Sequence, residues 1–364
     1  MSPGVAADRQ EISYFRQISN MGLPFCIVLP DLFESLRRML PFASGAFMEF
    51  EPDLLPHYQY VDWQNGKCLA DTGDWLPLLR EANPDAIKAL DQAATTLPSH
   101  PSRGSGEPLR LDGCEPEGHA ASRTLALKLS SSDSSGRSAL LVLRRDAQDQ
   151  AFDPGHLKRL QELAPLLSRA MVAPAEDSGS WVESGDQVMV ILNEEGNVGH
   201  ISARGAQFIQ YALDRRWAPG RHWTPLDPDS LGETLMTYLR PGRGAPIESP
   251  ADADDDRRWS NRWGRFGLRS NRLESLGRDG KPSFAVTVTR HVPLQLKLAK
   301  TLRRFPLSSK ESAVCLKIAL GRSFKEIAHE MRLSMSTVVA HSQAIYNKLG
   351  IAGRNELLTS LYRH

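Results

Sequence analysis

Apolar positions recur along the chain with two different periods, and the changes of period divide it into segments. Leu32, Phe33, Leu36, Met39 and Leu40 return every three or four residues, which predicts a helix. The run Gly45 to Phe50 directly after it reads as a strand, and a helical tendency between Arg9 and Ile18 precedes both. Tyr58 to Asp62 and Leu125 to Leu129 are further strand candidates, and Ser138 to Leu143 is the strongest strand pattern of this half. Phe152-Asp153-Pro154 then opens a helix that places Leu157, Leu160, Leu163, Leu166 and Leu167 on one broad face. Between these elements, the Pro- and Gly-rich stretch Leu97 to Gly118 and the Ser-rich run Ser130 to Gly136 read as surface loops.

The pattern restarts after Ala173 to Gly185, whose Pro, Ser, Gly and acidic residues predict a linker. Gln187 to Ile201 predicts a hairpin turning at Asn193 to Asn197, where Gly196 can adopt the positive φ a tight turn needs. Ala206, Phe208, Ile209 and Leu213 give the next stretch one apolar helical face, and Leu231 to Leu239 is a second helix candidate. Trp263 to Leu268 and Ser283 to Thr289 predict returning strands; Phe284, Val286 and Val288 alternate with Ala285, Thr287 and Thr289, as a half-buried antiparallel sheet requires. His291 to Arg304 reads as a basic connector helix whose Leu294, Leu296, Leu298 and Leu302 could form a dimer seam.

The last segment carries the most specific local chemistry. Ser308 with Glu311, and Ser323 with Glu326, are two capping boxes, each marking a helix start, and Gly321 stands where the first of those helices should stop. Phe324, Ile327, Ala328 and Met331 form the buried face of a short helix. Arg332-Leu333-Ser334 leaves room only for a tight turn, with Ser334 able to cap a second helix directly after it. That second helix buries Val338, Ile345 and Leu349, with His341 on the same stripe, and turns Met335, Ser336, Val339, Ala340, Ser342 and Gln343 outward. A short helix, a tight turn and a second helix with small polar outer residues is a helix-turn-helix, the arrangement that enters a major groove.

Four blocks at matching spacing, L-S-S-K-E at 307–311, G-R-S-F-K-E-I-A at 321–328, S-M-S-T-V-V-A-H at 334–341, and I-Y-N-K-L-G-I with Arg354, resemble the LuxR/GerE-type DNA-binding domain. The resemblance covers about the last sixty residues and implies a four-helix module whose third helix reads double-stranded DNA. By order of elements alone, the first half resembles a GAF-like sensory domain and the segment after the linker resembles a PAS-like one. The expected fold is therefore α+β and multidomain. A GAF-like domain spans 1–172, a linker 173–185, a PAS-like domain 186–292, a connector helix 293–304 and the all-α helix-turn-helix domain 305–364, with antiparallel sheets in both sensory parts.

The resemblance also implies roles at the DNA. Lys325 suits a backbone phosphate, as do Ser336, Thr337 and His341 at the start of the reading helix, and Lys348 adds charge at its far end. Base-facing positions are Val339, Ala340 and Gln343; Gln can bond adenine bidentately, and Val or Ala can meet a thymine methyl. Thr337 and His341 could equally pack the helix against Leu333 and Ile327. Two positions depart from the family, which usually carries Lys or Arg where Val339 stands and Glu where Ala313 stands. A lost cation at position 339 predicts a different target sequence or a weaker hold. A homodimer, a contact with RNA polymerase and a small-molecule effector are the partners such a regulator implies.

Charge agrees with this placement. Residues 297–364 hold twelve Lys and Arg against four Glu, a net of +8, whereas the whole chain is +1, so residues 1–296 carry −7. A nearly neutral protein thus has one basic end, the electrostatic footprint expected of nucleic-acid binding. The chain length suggests two or three domains. No apolar run reaches the roughly twenty residues of a membrane span, and the first seventeen residues lack a signal core, which predicts a cytoplasmic protein. Cys26, Cys68, Cys114 and Cys315 are scattered, without zinc or disulfide spacing.

An enzyme is not expected: the sequence has no nucleophile elbow, phosphate loop or H-E-x-x-H, and His57, His100, His119, His200 and His222 are isolated. Nor do residues 1–130 show the order of acidic pair, central Asp and later Lys that a phosphorylated receiver needs. Asp252, Asp254, Asp255 and Asp256 lack the glycine and terminal Glu of a calcium loop and read as a hairpin tip. Trp217, Trp223, Trp259 and Trp263 could line a pocket for a flat ligand or could be core. The alternative input, a single acyl-homoserine-lactone-binding domain as in quorum-sensing regulators, fits a shorter chain than one with some 300 residues before its DNA-binding end.

Overall fold

The computed structural model describes residues 3–50, 56–63, 109–110, 123–130, 138–145, 148–150, 152–172, 179–202, 205–214, 228–239, 257–274 and 282–363. The expected loop at 97–118 apart from Leu109 and Arg110, which form a short strand, the expected loop at 131–136, the stretch 173–178, Asp252 to Asp256, Trp217, Trp223, Cys68, Cys114, His100, His119 and His222 lie outside the described residues. The fold is a mixed α/β one with antiparallel sheets and a helical C-terminal part.

The first part begins with α1 (Pro3–Ser19) and α2 (Phe25–Met39), followed by β1 (Ser44–Phe50), β2 (Pro56–Trp63), β3 (Leu109–Arg110), β4 (Arg123–Ser130), β5 (Ser138–Arg145) and α3 (Pro154–Met171). Helix α2 starts seven residues before the periodic run at Leu32 and carries Pro30 inside it. The earlier turns hold because Phe25, Val28 and Leu29 bury on the same side as Leu32 and Leu36. Asp153 caps α3 by accepting from the His156 N–H at 2.9 Å, while His156 Nδ1 accepts from the Asp153 N–H at 3.1 Å. In the sheet, Phe47 meets Leu141 and Leu127 in one register row, and the three are fully buried.

The second part comprises β6 (Trp181–Leu192), β7 (Val198–Ile201), α4 (Gly205–Ala212), α5 (Pro228–Leu239), β8 (Arg257–Asn261), β9 (Gly264–Leu273) and β10 (Ser283–Pro293). Strand β6 opens at Trp181, inside the stretch expected to be a linker. It does so because β10 continues past Thr289, beyond an irregularity in register, so that Val292 and Pro293 pair with Val182 and Trp181. The hairpin turns where expected: Gly196 has φ +90, and the Asn193 N–H donates to Asn197 O at 3.0 Å. Numbered within each sheet, both five-stranded sheets run in the order 2-1-5-4-3.

Helix α6 (Leu294–Leu302) leads into α7 (Ser309–Ala319), α8 (Phe324–Met331), α9 (Met335–Leu349) and α10 (Arg354–Arg363). Two apolar cores result. One runs continuously through α1, α2, both sheets and α3 to Leu296 and Ala299 of α6; the other holds Leu298 and Leu302 of α6 with the side chains of α7 to α10. The leucines expected to form a dimer seam are thus used within the chain: Leu296, Leu298 and Leu302 are each 1% exposed. Withdrawing them for a partner would forfeit roughly 1.5–3 kcal/mol apiece, so α6 joins two cores and is not a free seam.

Candidate nucleic-acid interface

Each helix of the C-terminal part is set by a local device. At α7, the Ser308 N–H donates to Glu311 Oε2 at 2.7 Å and the Glu311 N–H to Ser308 Oγ at 3.3 Å. Its far end closes with Gly321 at φ +86, where the N–H groups of Gly321 and Arg322 donate back to Ile318 O and Lys317 O, both at 3.0 Å. These bonds satisfy carbonyls that would otherwise lack partners at a helix end. The Ser323–Glu326 box starts α8 with the same two bonds, at 2.7 and 3.3 Å. The α8 to α9 turn is the tightest of the set: Arg332 takes a left-handed φ of +54, and the Leu333 N–H returns to Ala328 O at 2.9 Å. Ser334 then caps α9, accepting from the Thr337 N–H at 3.1 Å.

Packing fixes which way α9 faces. Ile327 of α8, Val314 of α7, Leu357 of α10, and Val338 and Ile345 of α9 are all fully buried in the second core. That commits one side of α9 to the interior. On the opposite side Ser336, Ala340 and Gln343 are exposed and Val339 is half-buried. Their three-, four- and seven-residue spacings put them in one stripe. Met335 stands beside them at the helix start, 48% exposed.

The remaining expected contact residues are held differently. Lys325 is exposed on α8. Thr337 is half-buried, and its hydroxyl and that of Ser336 lie 2.7 and 2.8 Å from Ser334 Oγ, forming one three-hydroxyl cluster at the helix start. His341 is half-buried on the flank of the stripe. Lys348 is about 18 Å along the helix from Ser336, at 1.5 Å per residue, and its Nζ donates to Glu311 Oε2 at 2.7 Å. Ser342, expected on the outer face, is instead 2% exposed and donates its hydroxyl to Val339 O at 2.8 Å. A small side chain that bonds its own helix backbone can turn inward without leaving a polar group unmet, and the apolar pattern does not reveal it.

The basic end is also less uniform than its composition. Lys300 of α6 and Arg303 at its C-terminal cap face acids of the preceding parts, Lys317 bonds Glu330, and Arg322 lies 3.7 Å from Glu330 and 4.0 Å from Glu326. Lys310, Lys325, Arg332 and Arg354 are exposed. For Glu326, the bond from the Ser323 N–H is the main cause that holds the carboxyl below its ordinary range; for Glu330 it is the bond from Lys317. Both acids are therefore charged at neutral pH, and the positive field belongs to fewer residues than the count of Lys and Arg suggests.

Other candidate chemistry lies apart from this face. The Trp259 indole N–H donates to Ala212 O at 2.8 Å and that of Trp263 to Asp214 Oδ1 at 3.1 Å. Both rings are buried among Phe208, Phe266 and Tyr211, so they serve as core. Cys315 is buried, which pushes its thiol up to about 12 and keeps it protonated. Among the described residues, no three His, Cys, Asp or Glu side chains gather as a metal site, and no helix is long and apolar enough to cross a membrane.

Residues 306–361 match the family described as GerE: Bacterial regulatory proteins, luxR family. No curated protein matches the chain. Two solved structures align with it loosely. Escherichia coli SdiA is 11% identical with a TM-score of 0.24, over 92% of this chain and 88% of that one. The E. coli DhaR(N)–DhaL complex is 10% identical with a TM-score of 0.21, over 79% of this chain and 90% of that one. At such TM-scores neither likeness describes the fold of the parts before α6.

Proposed function

We propose that this chain, whose residues 306–361 form a LuxR-family helix-turn-helix domain, is a sequence-specific transcription regulator that reads double-stranded DNA through α9 and is gated by the parts before it. One observation carries the reading: Ser336, Val339, Ala340 and Gln343 form an outward stripe on a capped helix held rigidly by Val338 and Ile345. In a major groove, Gln343 bonds an adenine edge, while Val339 and Ala340 meet thymine methyls. Lys325 and the Ser336 hydroxyl hold phosphates, and His341 adds a contact at the flank. Thr337 keeps the first turn in place through Ser334, and Lys348 acts by positioning, since it is committed to Glu311.

The same proposal assigns sensing to the first two parts, GAF-like over 1–172 and PAS-like over 181–292, where β6 opens within the expected linker, joined through 173–180, with 293–304 connecting them to the DNA-binding domain at 305–364. Two separate five-stranded sheets of the same strand order support two sensory units over a single lactone-binding domain. A small-molecule effector, a homodimer on paired half-sites and a contact with RNA polymerase complete the reading, with the cytoplasm as the site of action.

The test is selection from a random duplex library with the full-length chain, at two salt concentrations, beside a Lys325→Ala/Gln343→Ala double variant. Enrichment of one sequence by the wild type, lost in the double variant, is the expected result. No enrichment at low salt overturns the proposal.

A further inference from the structure

The side of α6 that carries Leu296, opposite Leu298 and Leu302, also meets acids from three other elements. Lys300 Nζ lies 3.3 Å from Asp31 Oδ1 and 3.9 Å from Glu34 Oε2, both on α2, and 3.4 Å from Asp186 Oδ1 on β6. Arg303 Nε donates to Glu11 Oε1 of α1 at 2.9 Å, its Nη2 is 2.7 Å from the other oxygen, and its guanidinium sits 4.7 Å over the Tyr14 ring. Behind this layer Arg290, fully buried, donates to Ile27 O of α2 at 2.7 Å and to Trp263 O at 3.0 and 2.7 Å, and reaches within 3.8 Å of Asp186. One charged cluster thus touches α1, α2, the second sheet and the helix that enters the DNA-binding domain.

The seam beyond it is polar as well. Gln10 Nε2 donates to Arg303 O and Phe305 O, both at 2.7 Å, and the Ser312 hydroxyl of α7 donates to Gln17 Oε1 at 3.1 Å. Gln17 Nε2 is buried there without a partner. Apolar continuity across the seam is slight: among the described side chains of α1, α2 and the turn between them, Met21 alone packs against the second core. That core is otherwise closed by α6 to α10 alone, so separating α1 from α7 would not open it. A polar seam beside two cores that meet at α6 can part without unfolding either, while Leu296 and Ala299 keep α6 seated on the first.

We propose that Lys300 and Arg303 are a releasable latch by which α1 and α2 hold the DNA-binding helices. Lys300 spans α2 and β6, so a shift of one sensory part against the other alters its acid partners and loosens the end of α6 beyond Ala299. Released, the α7 to α10 unit can turn to meet its half-site, a consequence that rests on reading 306–361 as the DNA-binding domain. The charge on Lys300 is secure while latched: Asp31 above all, then Asp186 and Glu34, favour its protonated form.

Hydrogen exchange on the full-length chain without DNA tests the latch apart from the DNA-binding reading. In Lys300→Gln/Arg303→Gln, amides of residues 10–19 and 303–312 are expected to exchange at least tenfold faster, with less than twofold change in β6, β10, α8 and α9. A Lys300→Arg variant should retain the wild-type pattern. If the double variant does not fold, Gln10→Ala/Gln17→Ala, which leaves the ion pairs in place, should accelerate the same two segments. Unchanged exchange there overturns the proposal, as does acceleration spread evenly through the sheets and α9.

Discussion

Lys348 Nζ donates to Glu311 Oε2 at 2.7 Å, so the last turn of α9 is fastened to the carboxylate that caps α7. The same oxygen accepts the Ser308 N–H, which makes one carboxylate serve a helix start and an interhelical tie. Loss of the cap costs roughly 0.5–2 kcal/mol, and the half-exposed ion pair adds at most about 1 kcal/mol. Glu311→Ala should therefore lower unfolding free energy by roughly 0.5–3 kcal/mol in urea titration. Lys348→Met should lose no more than about 1 kcal/mol and leave the salt slope of DNA binding unchanged. A slope reduced by about one unit would instead make Lys348 a phosphate contact.

Acid should reveal the same carboxylate. Burial pushes the Glu311 carboxyl up, but bonds from Lys348 and from the Ser308 N–H and hydroxyl outweigh it and hold it below its ordinary value of 4.5. A depressed folded value means the stabilisation is complete above the unfolded value and is lost as pH falls through the folded one. Between neutral pH and 5 the contribution should be flat, and below about 4.5 the wild type should lose stability more steeply than Glu311→Gln. Parallel curves for the two proteins from pH 6 to 3 would remove Glu311 as the source.

Much of the C-terminal part was legible because its signals are local. Ser308 with Glu311, Ser323 with Glu326, and Gly321 each act within one turn of chain, and each stands where the sequence placed it. The strands at Ser138 and Ser283 were legible for the same reason, the first from a short continuous apolar run and the second from a short-range alternation. What escaped depends on partners far along the chain. Arg290 carries no local signal of burial, yet it is enclosed by Ile27 and Trp263; Lys300 and Arg303 read as basic surface until Asp31 and Glu11 are placed beside them. Composition counted Lys300 and Arg303 toward DNA, whereas three-dimensional pairing sets them against acids of the preceding parts.

Arg332 stores strain in the turn of the helix-turn-helix. Its φ of +54 disfavours a side chain by roughly 1–2 kcal/mol, whereas glycine adopts that region freely at the expense of a more flexible unfolded chain. Arg332→Gly should raise stability by a net of about 0.5–1 kcal/mol, read as a shift of the urea midpoint without a change in slope. A destabilised variant would show that the exposed guanidinium makes a contact that outweighs the backbone strain.

Gly232 sits in α5 where the hairpin turn between β6 and β7 presses against the helix. A Cβ placed there would stand 2.0 Å from Gly196 O and 3.1 Å from Gly196 C. Backbone cannot yield as a flexible side chain can, so Gly232→Ala must push the turn away from α5. Despite the helix preference for alanine, which favours the substitution by about 1 kcal/mol, overpacking of roughly 1–3 kcal/mol or more should prevail. Calorimetry should show a lowered midpoint, and Gly353→Ala, which meets nothing within 4 Å, serves as the control expected to change little.

Lys325 and Gln343 should separate affinity from specificity. Lys325 is an exposed cation on α8, remote from the base-reading stripe in role, so Lys325→Ala should weaken binding by a similar factor on every sequence and reduce the salt slope by about one unit. Gln343 lies in the stripe with Ala340 and Ser336, and its amide is the one group there that can bond the N6 amine and N7 of adenine at once. Gln343→Ala should lose roughly 1–3 kcal/mol on the selected site and little on random duplex, with an unchanged salt slope. Fluorescence anisotropy with both duplexes at several salt concentrations distinguishes these patterns. Equal loss on both duplexes for Gln343→Ala would move base reading elsewhere on α9, with Met335 at its exposed start the next side chain to test.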